Sequence, residues 1–342
     1  MLVLFLSLCF ALAEEAADPC KQGAEAYQRG DYAQAEILLN QCLDRHPDDL
    51  TAHLRLCAFY QSQGKDDKLV EIARKALGRF PKEKRFYMTV GVGAGRRKAW
   101  GEAIETFSEG LRRWPDDPKF RTTLVEAYLL RGMEYLDQGE NSSAEADLNK
   151  AQELDRDNAE VLLNLGRALH NLEHSGRALK LFDQVLELEP GTPLIQFHRG
   201  VALNGLGQFY DVISAMNTQL LVTPAKAECY YFRGLAFQRK GEWDKARADL
   251  TVAVEGMPDF GEAVYRLARC YQHFGQLDLA EAAFERSLSL NPTDVRSMYG
   301  LGRVLQQLGK IEQAKEMFQK AETHYTENEL EDSGEKSPSP CR

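Results

Sequence analysis

The sequence predicts an all-α fold, a stack of nine helical hairpins, on three observations. Proline recurs at Pro47, Pro81 and Pro115 and again at Pro190, Pro224, Pro258 and Pro292, each 34 from the last apart from one gap of 75. A column of small residues keeps the same period: Gly23, Cys57, Gly91, Gly132, Gly166, Gly200, Gly234, Ala268 and Gly302. Twelve residues later a second column follows, of Ala35, Leu69, Ala103, Ala144, Ala178, Val212, Ala246, Ala280 and Ala314. A fixed period of this size marks a repeat array, whose units cannot bury their faces alone and take their core from neighbours.

Within each unit the first helix carries the first small residue and ends at a glycine-bearing turn, as in Gln28-Arg29-Gly30-Asp31, Lys240-Gly241-Glu242 and Leu308-Gly309-Lys310. The second helix shows one buried face, clearest in Ala280, Ala283, Phe284, Ser287 and Leu288 at i, i+3, i+4, i+7 and i+8. A large residue fills that face in most units: Leu39, Phe107, Leu148, Phe182, Met216, Leu250, Phe284 and Phe318. Proline then stops the helix. Units one to three close at Pro47, Pro81 and Pro115. Splitting the gap as 41 plus 34 puts a missing proline at Arg156 and seven extra residues in the fourth unit. Seven residues add about two helical turns, and Asp117-Pro118 reads as an N-cap followed by proline at the first position. The expectation there is a longer first helix, or a break between units one to three and four to nine. In the third unit Gly93 and Gly95 lie beyond Gly91 and each costs the helix about 1 kcal/mol relative to Ala.

The period, the paired small columns, the aromatic residue of the second helix and the closing proline resemble the tetratricopeptide repeat, over residues 16–328. The resemblance implies a right-handed superhelical solenoid whose first helices line a concave face, and a non-enzymatic scaffold that binds other proteins. Some members grip a partner's terminal carboxylate with Lys, Asn and Arg side chains. The matching places here hold Cys20, Ala24, Arg55, Lys84 and Met88, a set unsuited to that task.

Composition bounds the rest. Of 342 residues 44% are hydrophobic, which excludes a disordered chain, and a net charge of -10 excludes a nucleic-acid binder held by global positive charge. Residues 1–13 read as a signal peptide: an apolar run from Leu2 to Leu12 ends at the small-x-small site Ala11-Leu12-Ala13. The run is shorter than the roughly 20 residues of a stable membrane anchor. Export to the periplasm or outside the cell follows. Residues 329–342, rich in Glu, Ser and Pro, read as a disordered tail.

After cleavage six cysteines remain, which allow 15 pairings. Cys20 and Cys42, on opposite helices of the first unit, are a candidate pair for a staple if their Cα atoms lie within about 7 Å. For a binding groove the candidates are Phe197, Tyr231, Tyr265 and Tyr299, spaced by 34, with Arg167, Arg269 and Arg303 one helical turn further on. Tyr and Arg concentrate binding energy at interfaces, and the arginines suit an acidic partner segment. Two motifs point to chemistry and are set aside. His170-Asn171-Leu172-Glu173-His174 spells HxxEH, as in some zinc-dependent hydrolases, but the phase puts His174 in a turn. The glycines of Gly91-Val92-Gly93-Ala94-Gly95-Arg96-Arg97-Lys98 fall inside a helix instead of following a strand, so no phosphate cradle is expected. No nucleophile, base and orienting group come together, and neither a metal nor a cofactor is expected. The function expected is an exported protein-binding scaffold, with an assembly factor of an envelope or polysaccharide-secretion complex as the alternative.

Overall fold

The computed structural model describes residues 18–332, which are α-helical with short turns; the signal-peptide reading and residues 333–342 lie outside them. Eighteen helices pair as nine hairpins, and the contacts divide the chain into two compact units at Asn164 and Leu165.

The first unit contains α1 (Pro19–Gln28), α2 (Tyr32–Arg45), α3 (Leu50–Ser62), α4 (Asp66–Arg79), α5 (Lys84–Arg96), α6 (Trp100–Arg113), α7 (Pro118–Asp137) and α8 (Asn141–Leu154), each packed on the next. The boundary falls inside α9 (Ala159–Asn171). The second unit continues with α10 (Ser175–Leu188), α11 (Ile195–Gly205), α12 (Phe209–Val222), α13 (Ala227–Arg239), α14 (Trp243–Gly256), α15 (Gly261–His273), α16 (Leu277–Leu290), α17 (Val295–Gln307) and α18 (Ile311–Asp332). α7 has 20 residues where α3, α5 and α13 have 13, so the seven extra residues lengthen a helix. Asp117 caps it, accepting from the Lys119 N–H at 3.1 Å. Of the two alternatives expected at the insertion, the longer helix is the one found, and the division into units comes at residue 164; α18 runs to Asp332, into the stretch read as the start of the tail.

The small column of the first helices and the large-residue column of the second helices are the halves of one contact. A Cβ added at Gly91 would lie 2.3 Å from the Phe107 ring, and one at Gly166 2.5 Å from Phe182. Gly23, Gly132, Gly200, Gly234 and Gly302 meet Leu39, Leu148, Met216, Leu250 and Phe318 in the same way. The glycine lets the second helix seat its large side chain directly on the first helix's backbone. Where the second unit of the repeat has Cys57 in the small column, the large column holds Ala73, and both are buried in one cluster. Size is exchanged across the contact, and volume is kept.

Hairpin turns place glycine in the left-handed region, from Gly30 at φ 81° to Gly309 at φ 79°. Two turns use other residues there, Lys98 at φ 56° and Glu173 at φ 64°.

Candidate functional site

In the second unit the aromatic column occupies the first helices α11, α13, α15 and α17. Phe197 is half-buried, with Lys226 Nζ 4.7 Å from its ring centroid and Phe232 edge-on at 5.8 Å. Tyr231 is buried against Phe232 and Phe260, and burial, with the Glu262 charge, pushes its hydroxyl up to about 12. Tyr265 is also buried. The guanidinium groups of Arg266 and Arg296 lie 5.4 and 4.9 Å from its ring centroid, and its hydroxyl accepts from Arg269 Nη1 at 3.3 Å. Tyr299 is half-buried against Phe318, and Arg303 is exposed. Arg167 is half-buried on α9. Its charge and that of Lys226 add to burial in pushing His198 down to about 4.

Two of the predicted groove residues are thus buried. Tyr231 and Tyr265 expose 8% and 6% of their surface, too little for a ligand to gain much from either ring. The basic groups beside them are also occupied: Glu262 accepts from Arg266 Nε at 2.7 Å and from Arg296 Nη2 at 2.6 Å. An acidic ligand arriving here would have to displace a carboxylate already in place. Phe197, Tyr299, Arg167 and Arg303 keep partial or full exposure.

An apolar cleft lies in the first unit. A cleft of about 600 Å³ is floored by Leu54 and Ala58 from α3 and by Met88 and Val92 from α5, with Gln61, Lys84, Arg85 and Lys119 around it. Lys84 Nζ pairs with Asp117 at 2.7 Å and Arg85 Nε with Glu83 at 2.8 Å; both cations are exposed, while the two carboxylates are half-buried. The exposed Lys119 makes no ion pair among the described residues. A second cavity of about 350 Å³ shares Val92 and runs between α5 and α7 past Gly95, Trp100 and Leu130. Position in the repeat could have found these residues, since Leu54 and Met88 stand in the same column as Tyr231 and Tyr265. Aromatic identity drew attention to the second unit instead.

The glycine-rich stretch is structural. A Cβ at Gly93 would meet Val70 at 2.6 Å, and the neighbouring basic groups are paired, Arg96 with Asp66 and Arg97 with Asp67 and Glu102. The HxxEH stretch spans a turn: His170 lies in the last turn of α9 and bonds Ser175 Oγ at 3.2 Å, Glu173 is left-handed, and His174 precedes α10. Cys20 and Cys42 are joined by a disulfide with Cα atoms 4.8 Å apart.

Models of the tetratricopeptide repeat match residues 22–49, 135–201 and 261–327. The chain belongs to the tetratricopeptide-repeat family. Among solved structures, PilW, a widely conserved type IV pilus biogenesis factor, is similar with a TM-score of 0.51 at 22% identity, over 57% of this chain and 90% of PilW. PilF of Pseudomonas aeruginosa gives a TM-score of 0.52 at 15% identity, over 62% of this chain and 99% of PilF. Both likenesses concern the fold. No curated protein is significantly similar in sequence. Tetratricopeptide-repeat proteins are protein-interaction scaffolds and generally not enzymes, and no helix among the described residues is long and apolar enough to cross a membrane.

Proposed function

We propose that this tetratricopeptide-repeat chain is an exported, non-enzymatic scaffold that holds an extended partner segment across α3, α5 and α7. The observation that carries the reading is the 600 Å³ cleft, apolar at its floor and charged at its rim, where Lys84, Arg85 and Lys119 outnumber Asp117. A leucine or aromatic side chain of the partner fills the space over Met88 and Val92, and flanking Asp or Glu residues exchange into the pairs of Lys84 and Arg85 and onto Lys119. Ligand pockets commonly join an apolar floor to a few polar groups that fix orientation. Nucleophilic chemistry has little support: burial pushes the free thiols Cys57, Cys229 and Cys270 up to about 12, 11 and 11, and a thiol is a poor nucleophile beside a thiolate. The apolar leader and the Cys20–Cys42 bridge support an oxidising compartment. PilW's role in pilus biogenesis offers an analogy for the alternative, a partner that belongs to an envelope assembly.

A screen of synthetic peptides that place one Leu or Phe between acidic residues tests this against the full chain. Binding is expected for a subset, and Met88→Glu is expected to weaken it by at least about 10-fold, because a carboxylate would enter the apolar floor and repel the ligand. Equal binding by wild type and variant would refute the assignment of the cleft.

A further inference from the structure

The first hairpin brings together side chains that the scaffold reading does not use. Asp18 caps α1, with one carboxylate oxygen taking the Cys20 N–H at 3.0 Å. Cys20 stands in the first turn of α1, and Cys42 in the last turn of α2. His46 follows Cys42 by four residues, on the same face, and its imidazole makes no hydrogen bond among the described residues. One ligand atom each from Asp18, Cys20 and His46 lies within 4.8 Å of the others, and the Cys42 sulfur is bonded to that of Cys20. No other group of three or more His, Cys, Asp and Glu among the described residues is gathered this way.

We infer that these four residues form a zinc site when the Cys20–Cys42 disulfide is reduced. The donor set, two thiolates, one imidazole and one carboxylate, is a zinc set, and bonds of about 2.0–2.3 Å put the atoms of a tetrahedral site roughly 3.3–3.8 Å apart. Asp18, Cys20 and His46 already lie close together, and the Cys42 side chain, outside that group, has to turn toward them once the bond between the sulfurs is cut. Both cysteines are buried, against Ala52 and Leu43, while His46 is exposed and Asp18 half-buried, so the site has an apolar back and an open entry.

The chemistry balances with a dithiol as the reductant. It supplies two electrons and two protons and leaves as its own disulfide, and Cys20 and Cys42 become thiols. Zn²⁺ then binds both sulfurs and releases their two protons to solvent. The same two cysteines thus staple the terminal hairpin in either state, through a covalent bond when oxidised and through a metal ion when reduced.

The inference is independent of the cleft and is tested on the full chain by titrating Zn²⁺, and Co²⁺ as a spectroscopic substitute, into the oxidised and the reduced protein. The expected result is a single tight equivalent in the reduced chain only, with a thiolate-to-cobalt charge-transfer band. His46→Ala leaves the disulfide intact, so its folding can be checked by circular dichroism before reduction. It should weaken zinc binding at least about 10-fold, and Asp18→Asn should weaken it in the same direction. Cys20→Ser with Cys42→Ser should remove the site while every other cysteine stays. Absence of binding by the reduced wild type, binding unchanged in His46→Ala, or binding retained in the double serine variant would each overturn the assignment.

Discussion

Replacing glycines in α5 by alanine should give opposite effects at two positions one turn apart. At Gly91 the new Cβ would fall 2.3, 2.5 and 2.7 Å from Cε1, Cζ and Cδ1 of Phe107, whose ring is buried and cannot swing clear. Overpacking of this kind costs about 1–3 kcal/mol, while the helix gains about 0.5–1 kcal/mol, leaving a net loss of roughly 1–2 kcal/mol. At Gly95 the nearest atom to the new Cβ is Trp100 Cζ3 at 3.7 Å, an ordinary contact, so the gain of about 0.5–1 kcal/mol stands alone. Urea unfolding followed through tryptophan fluorescence would resolve the difference, since Trp114 stacks on Phe120 in the same unit. Phe107→Leu combined with Gly91→Ala removes two of the three clashing atoms and should recover part of the loss as a coupling energy. Stabilisation by Gly91→Ala, or destabilisation by Gly95→Ala, would refute the view that glycine in the small column exists to seat the large residue of the second helix.

Other consequences can be checked separately. Tyr265→Ala should destabilise the second unit by about 3–5 kcal/mol, because it empties a buried aromatic site, and thermal unfolding would show it. His53 is buried between Phe80 and Phe86 with neither ring nitrogen hydrogen-bonded; burial lowers its pKa, with the Arg79 charge adding and Asp49 opposing. Its folded value lies below the unfolded value of about 6.5, so stability is full above pH 6.5 and falls as pH drops below it, by up to about 1.4 kcal/mol per pH unit. His53→Phe should flatten the acid limb of a stability profile of the first unit. Lys98→Gly and Glu173→Gly relieve left-handed side chains and should each stabilise by about 1 kcal/mol in denaturant melts. Reduction of Cys20–Cys42, which closes a loop with a sequence separation of 22, should cost the first hairpin about 3 kcal/mol in metal-free buffer, seen as earlier exchange of its amides.

The fold was legible because the period acts on residue types that have few alternatives. A glycine recurring once per repeat on the first helix, answered on the second by Leu, Phe or Met, specifies a helix crossing with little ambiguity, and the turn glycines mark where each hairpin bends. The length of α7 followed from counting. The division at Asn164 did not, because nothing in the composition of α9 differs from its neighbours, and the boundary reflects contacts among distant residues. Which residues of the candidate column are open is harder to read from the sequence, for a related reason. Position in the repeat tells which face a side chain takes, but not what covers it: Phe260 closes over Tyr231, and Arg296 over Tyr265, from the following hairpins. The cleft on the first unit is made by what is small or missing, Ala58 on α3 and the short side chains near Val92, and a space leaves no motif in a sequence.

Methionine-methyl NMR of the full chain, titrated with an acidic peptide that carries one leucine, would locate the bound segment directly. Met88 lines the cleft, whereas Met298 is buried on α17 and Met317 packs against the core cluster of the last hairpins that holds Tyr265 and Phe318. The expected result is a saturable shift of the Met88 methyl with Met298 and Met317 unmoved. Saturable shifts at Met298 and Met317 with Met88 unchanged would contradict it, and would return the site to the aromatic column of the second unit.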